Sequence, residues 1–240
     1  MSKYVMVIFL LAGMLFWSGT GCDPAPADSS PPAVDPEEDI YDIDALGIPR
    51  FVQTQYIDLP KIWRISRFRS GVGHDYSDDF ESCRSMKHYF QPKTGLDWSA
   101  ISIVAPVSGI ITELYPEWAG TRVALQSRQY PAFRFVLFHV QVKAGIKEGD
   151  RVEAGEALGC HIGSQTWSDI AIRVQTPRGN RLISYFDVMT DSLFQRYRAR
   201  GVPSPNRFII SPDARDRDPL NCHGDQFEDA GNIANWVILY

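Results

Sequence analysis

Apolar positions along the chain follow two patterns. From Tyr4 to Trp17 they form one nearly unbroken run, preceded by Lys3 and followed by Ser18-Gly19-Thr20-Gly21 and then Cys22. A positive start, a short apolar stretch and small residues before a cleavage point mark an export signal over 1–22. The run is too short to span a bilayer comfortably. From Phe51 to about Met189 the apolar residues come instead in short runs rich in β-branched side chains, punctuated by Gly, Pro and Asn. That pattern predicts a mostly β domain over 51–189. Its expected strands are Ile101 to Val104, Gly109 to Tyr115, Arg122 to Ser127, Phe133 to Val140, Glu156 to His161, Asp169 to Gln175 and Leu182 to Ser184. Thr190 to Arg200 carries Leu193 and Tyr197 at helical spacing and is stopped by Gly201 and Pro203, which predicts one helix. The remainder is loop-rich, so 190–240 reads as a C-terminal extension packed back on the sheet.

Between signal and domain, residues 23–39 hold five Pro and six Asp or Glu in 17 positions, too little apolar surface to fold. The segment 23–50 reads as a tether, and at about 3 Å per residue it reaches roughly 80 Å. It also changes the meaning of the formal charge of -5: from Arg50 onward 23 basic residues face 21 acidic ones. The folded part is nearly neutral, so the sequence carries no nucleic-acid footprint. The ending Gly19-Thr20-Gly21-Cys22 resembles a bacterial lipobox, which implies a diacylated Cys22 at the mature N-terminus and a membrane attachment through its lipid. The protein is then exported and membrane-anchored in the bacterial cell envelope, on the periplasmic face in a Gram-negative cell. Ordinary signal cleavage and an uncleaved anchor are the competing readings.

The segments SGVGHDYSDD, VAPVSGIITEL, FVLFHV, IKEGDRVEAGEALG and SDIAIRV, in this order and spacing, resemble the lysostaphin and LytM type of peptidoglycan metalloendopeptidase over about residues 68 to 189. The resemblance implies an antiparallel β-sheet domain of duplicated hybrid motifs. In active members zinc is held by a His-x-x-x-Asp motif and by the second His of a His-x-His strand, with two further His assisting catalysis. His74 and Asp78 match the first motif, and His139 falls on the family's isolated catalytic His. The third motif is lost. Alternation along the strand puts Asp169, Ala171 and Arg173 opposite inward Ile170, Ile172 and Val174, so Asp169 replaces a catalytic His and Ala171 a zinc ligand. Catalytic zinc takes three protein ligands, and His74 with Asp78 gives two. Arg173 adds a positive charge on the site face and is a candidate partner for Asp78.

No cofactor is expected on this reading; zinc enters if an altered ligand set rescues the site. His88 together with Cys83, in the apparent insertion ESCRSMKHYFQPKTGLDW, His161, and Asp169 in the strand itself but two residues out of register are the candidate replacements, against the plainer role of polar loop or strand-edge histidines. With Cys22 lipidated, Cys83, Cys160 and Cys222 are left in an oxidising compartment. Cys160 reads as a small buried side chain and Cys83–Cys222 as the favoured pair, with three free thiols as the competitor.

Three function classes follow. The first is a non-catalytic module that binds peptidoglycan or regulates a cell-wall hydrolase, as similar degenerate members do. The second is a zinc endopeptidase with an altered third ligand. The third is a biotinyl or lipoyl carrier, which fails because no Lys sits in a hairpin turn for modification. Tyr76, Phe80, Tyr89, Trp98, Trp118 and Trp167 are candidate saccharide-stacking residues or core.

Overall fold

Ile170, Ile172 and Val174 alternate with Asp169, Ala171 and Arg173 along one strand, and this period of two gives the sheet its two different faces. The computed structural model describes residues 40–240. The signal 1–22, Cys22 and tether residues 23–39 lie outside the described residues.

The strands are β1 (Ile62–Ser66), β2 (His88–Pro92), β3 (Ser102–Val104), β4 (Gly109–Pro116), β5 (Thr121–Ser127), β6 (Phe133–Val142), β7 (Arg151–Val152), β8 (Ala157–His161), β9 (Ser168–Thr176), β10 (Gly179–Ile183), β11 (Cys222–His223), β12 (Gln226–Phe227) and β13 (Trp236–Ile238). Eleven of them form one sheet with the path β13-β1-β2-β9-β6-β5-β4-β7; β10 pairs with β9, and β8 with β3 and β6. All the pairings between these strands are antiparallel, as the resemblance implies. The strand β9 is thus bordered by β2, β6 and β10.

One face of the sheet packs a large core that includes Phe133, Phe135, Leu137, Ile170, Ile172 and Val174. The opposite face carries a smaller cluster of Phe68, Met86, Val136, Phe138, Ala171 and Leu182. This second cluster exists because residues 68–86 fold across the sheet, tied by Arg69 N–H to the Ser85 carbonyl and Met86 N–H to the Tyr76 carbonyl. The supposed insertion is therefore structural: its Met86-Lys87-His88-Tyr89-Phe90 run leads into β2, next to β9.

Two boundaries differ from the sequence reading. The tether does not run to Arg50, because the chain packs from Tyr41: its N–H donates to the Gln175 carbonyl at 2.9 Å and its ring meets Tyr130 and Phe133 edge-on. Asp42 then caps the short helix α1 (Ile43–Leu46) through its carboxylate. Tyr41, Ile43 and Ile48 supply the apolar surface that residues 23–39 lack. At the other end the helix appears as α2 (Asp191–Arg198), capped by Thr190, and its Leu193, Phe194 and Tyr197 join the large core. A second helix, α3 (Pro212–Arg217), and the hairpin β11–β12 follow before β13 closes the sheet edge beside β1. The extension is thus continuous with the β domain. No helix among the described residues is long and apolar enough to cross a membrane.

Cys83 and Cys222 form a disulfide spanning 139 residues, and Cys160 is a free, half-buried thiol rather than a fully enclosed one. Loop-closure entropy for so long a span stabilises the fold by about 4–5 kcal/mol. Urea unfolding of a Cys222→Ser variant should therefore give a stability lower by up to that amount. A variant as stable as the parent would contradict the stapling role.

Candidate functional site

Asp169 and Ala171 lie on the minor face, as strand alternation requires, opposite Phe138 and Val136 of β6. Neither reaches water: Asp169 is 0% and Ala171 1% exposed. A carboxylate in that position needs a counter-charge, and Lys87 supplies it. Lys87 precedes β2 and shares the face of Tyr89 and Asp169, since Tyr89 pairs with Asp169. Its Nζ lies 2.6 Å from Asp169 Oδ2, and its side chain is only 2% exposed. The contact is not aligned as a hydrogen bond, so both Asp169 oxygens lack a well-directed donor. Around the ammonium stand the rings of Phe138, Tyr76 and Tyr89, with centroids at 4.2, 4.8 and 5.1 Å.

His74 and His139 complete the cluster. His74 Nδ1–H donates to the Asp75 carbonyl at 2.8 Å, which fixes the tautomer and turns the Nε2 lone pair to the Lys87 ammonium at 3.2 Å. His139 Nδ1–H donates to the Ala119 carbonyl at 2.9 Å, leaving Nε2 3.5 Å from Asp169 Oδ1. Its backbone is left-handed at φ 59, a conformation that costs a non-glycine residue about 1–3 kcal/mol. The exposed Trp118 ring lies 5.7 Å from the imidazole, and Glu117 Oε2 is 3.7 Å from Nδ1. Burial pushes the Glu117 carboxyl above its ordinary range.

Asp78 does not face this cluster. Its Oδ1 accepts from Phe80 and Glu81 N–H at 2.9 and 3.1 Å, and its Oδ2 accepts from Leu182 N–H at 2.8 Å. Arg181, and not Arg173, is its cationic neighbour at 3.7 Å. The carboxylate is a turn cap that also pins β10. His88 is no replacement ligand, because it points to the opposite face, between the Ser66 carbonyl and Ser184 Oγ at 2.8 Å each. His161 is likewise buried and bonded to Gly163 N–H.

Zinc requires three lone-pair donors converging on one point. Here the His74 lone pair is turned to an ammonium, Asp78 serves backbone N–H groups, Ala171 has no donor and Asp169 pairs with Lys87. These residues do not fit the metal. Among the described residues no group of three His, Cys, Asp or Glu could hold one. Lys87 escaped the sequence reading; its signal was a single lysine inside the alternating apolar and aromatic run that becomes β2. Of the aromatics, Tyr76 and Tyr89 wall the lysine, Trp167 packs on Trp236, and Trp118 is open to solvent.

No family model matches this chain. No curated protein matches it either. Among solved structures it is similar to the LytM of Ruminococcus gnavus ATCC 29149, at 15% identity over 51% of this chain and 59% of that one, TM-score 0.35. This chain thus spans under two thirds of that structure. It is also similar to the catalytic domain of the antimicrobial peptidase lysostaphin from Staphylococcus simulans (18% identity, 49% and 84% covered, TM-score 0.33). The SpoIIQ–SpoIIIAH pore-forming complex is a further neighbour (13%, 61% and 96%, TM-score 0.42). Its structural neighbours are therefore LytM, lysostaphin and M23 metalloprotease structures at low identity.

Removing one member of a buried ion pair leaves the other unpaired, at about 3–5 kcal/mol. Lys87→Met should lose that much stability in urea unfolding, and Lys87→Met with Asp169→Leu should recover most of it. Equal losses in the single and double variants would show that the pair is not coupled. Burial also lowers the pKa of His88 and of His161 to about 4 from 6.5, so the unfolded state binds more protons between those values. Stability contributed by these groups is full above about pH 6.5 and falls as pH drops to about 4. Asp187, raised to about 6 by burial, acts in the opposite sense over part of that range. With two histidines against one carboxyl, the unfolding midpoint should fall on acidification, and His88→Asn should flatten the slope; an unchanged slope would contradict the burial of a neutral His88.

Proposed function

We propose that this chain is an envelope-anchored protein whose LytM-like domain binds peptidoglycan, or a hydrolase that works on it, without cutting. The observation that carries the reading is the Lys87 ammonium, 2.6 Å from Asp169 and 3.2 Å from His74 in a closed pocket. In the family resembled, the corresponding residues surround a cation that activates water. Here the Lys87 side chain fills the hydrolytic centre, and an ammonium has no vacant coordination site to take a water or a substrate carbonyl as a ligand, so the reading keeps a binding face without a hydrolytic centre. Acylation of Cys22 would hold the protein at a membrane surface, and residues 23–39 would give the domain reach into the wall. His139 and Asp169 then act as structural remnants of the catalytic pair.

The purified protein should co-sediment with cross-linked peptidoglycan and release no soluble fragments, with or without added zinc. Zinc-dependent release of muropeptides, abolished by His74→Ala, would overturn the reading in favour of an enzyme with an altered ligand set. Fatty-acid labelling that is lost on Cys22→Ser tests the anchor, and equal labelling of both would refute it.

A further inference from the structure

Two positions beyond Ala171 on the same face, β9 presents Arg173, and directly across from it β6 presents Arg134. Like charges facing each other in an antiparallel pair are unfavourable unless something negative lies between them. Their neighbours do not provide it. Arg122 is already taken by Glu113 at 2.6 Å and Glu117 at 3.7 Å, Arg181 is held by Asp78, and among the described residues neither Arg134 nor Arg173 has a carboxylate within ion-pair distance. Arg173 is exposed and Arg134 half-buried, so both are reachable.

Both arginines line two adjoining cavities. One, of about 270 Å3, is bounded by Tyr76, Thr112 and Arg122; the other, of about 230 Å3, by Gln126, Gln175 and Asn180. One Glu113 carboxylate also borders the first, already engaged by Arg122. The Tyr76 hydroxyl is raised by burial, an effect that the nearby Arg173 and Arg122 guanidinium groups oppose. The result is two side-chain-sized hollows, rich in amide and hydroxyl groups, meeting at a pair of planar forks. Guanidinium forks match carboxylates bidentately.

We propose that Arg134 and Arg173 form a carboxylate clamp for a short acidic peptide, the free carboxylate of a peptidoglycan stem peptide. The small paired hollows favour a short peptide over the flat, extended contact of a protein surface. This deepens the wall-binding reading and rests on it for the identity of the ligand. The clamp lies about 13 Å along β9 from Asp169, by the rise of a strand, and meets the Lys87 pocket only through Tyr76, which borders both.

Calorimetric titration of the purified protein with a soluble stem peptide tests the clamp, alongside the same peptide with its carboxylates amidated. The native peptide should bind, amidation should weaken it at least tenfold, and Arg134→Gln with Arg173→Gln should produce a similar loss. The double variant should unfold at or above the parent's midpoint, because it relieves like-charge repulsion. Equal binding of native and amidated peptides, or by parent and variant, would overturn the clamp. If whole peptidoglycan still co-sediments while the stem peptide does not bind, the clamp fails and wall binding survives. If the peptide binds through its carboxylate but intact peptidoglycan does not co-sediment, the clamp holds and the wall reading falls. Tighter binding of a synthetic peptide of residues 23–39 than of the stem peptide would overturn the assignment in favour of the chain's own acidic stretch.

Discussion

An ammonium enclosed by three aromatic rings, an imidazole and a carboxylate is the constraint around which the minor face is organised. Taking a lysine and an aspartate out of water costs several kcal/mol per ion, which their attraction offsets only while both stay in place. Asp169 is fixed by the sheet, between β2 and β6. Lys87 is fixed by the strand it opens and by the segment 68–86 folded above it, which brings His74 and Tyr76 to its sides. That segment has little regular structure and is held by specific ties: the Arg69–Glu81 and Arg84–Glu81 pairs, both mostly buried, and the bridge from Cys83 to Cys222. The C-terminal extension is needed because it carries the second sulphur and closes the sheet edge through β13.

The same arrangement divides the face in two. Where a metal centre would demand convergent lone pairs and access for water, there is a small core of Phe68, Met86, Phe138 and Ala171. Further along β9 the face returns to polar residues, the exposed Arg173 and the half-buried Gln175. The filled pocket at one end and the open, charged surface at the other belong together, since the segment that buries the first reaches the second only with the Tyr76 side chain.

The β class and the alternation of β9 were legible in the sequence because that strand has one strongly apolar face, and a slip of one residue would expose all of it. The helix after Met189 was legible from its spacing and its stop residues. The strands β1, β2 and β13 were not. Each is short, and two of them place charged or polar side chains among the apolar ones, as in Ile62-Trp63-Arg64 and His88-Tyr89-Phe90-Gln91. At the site the placement of Ala171 and Asp169 on one buried face followed from the period of two. What could not be read was Asp78 turning to cap Leu182, or Lys87 arriving beside Asp169, because both depend on how residues 68–86 cross the sheet. A His-x-x-x-Asp spacing fixes distance along the chain and leaves open what the carboxylate faces.

If Lys87 stands where the family resembled holds its cation, as proposed, zinc has no room beside Asp169 and His74. The most direct test is a crystal structure grown with excess zinc, with anomalous difference maps collected across the zinc absorption edge. The account predicts no anomalous peak between His74, Asp169 and His139, and Lys87 Nζ in contact with Asp169 and His74. A peak at that position, with Lys87 swung out and Asp78 turned away from Leu182 to meet the metal, would contradict it.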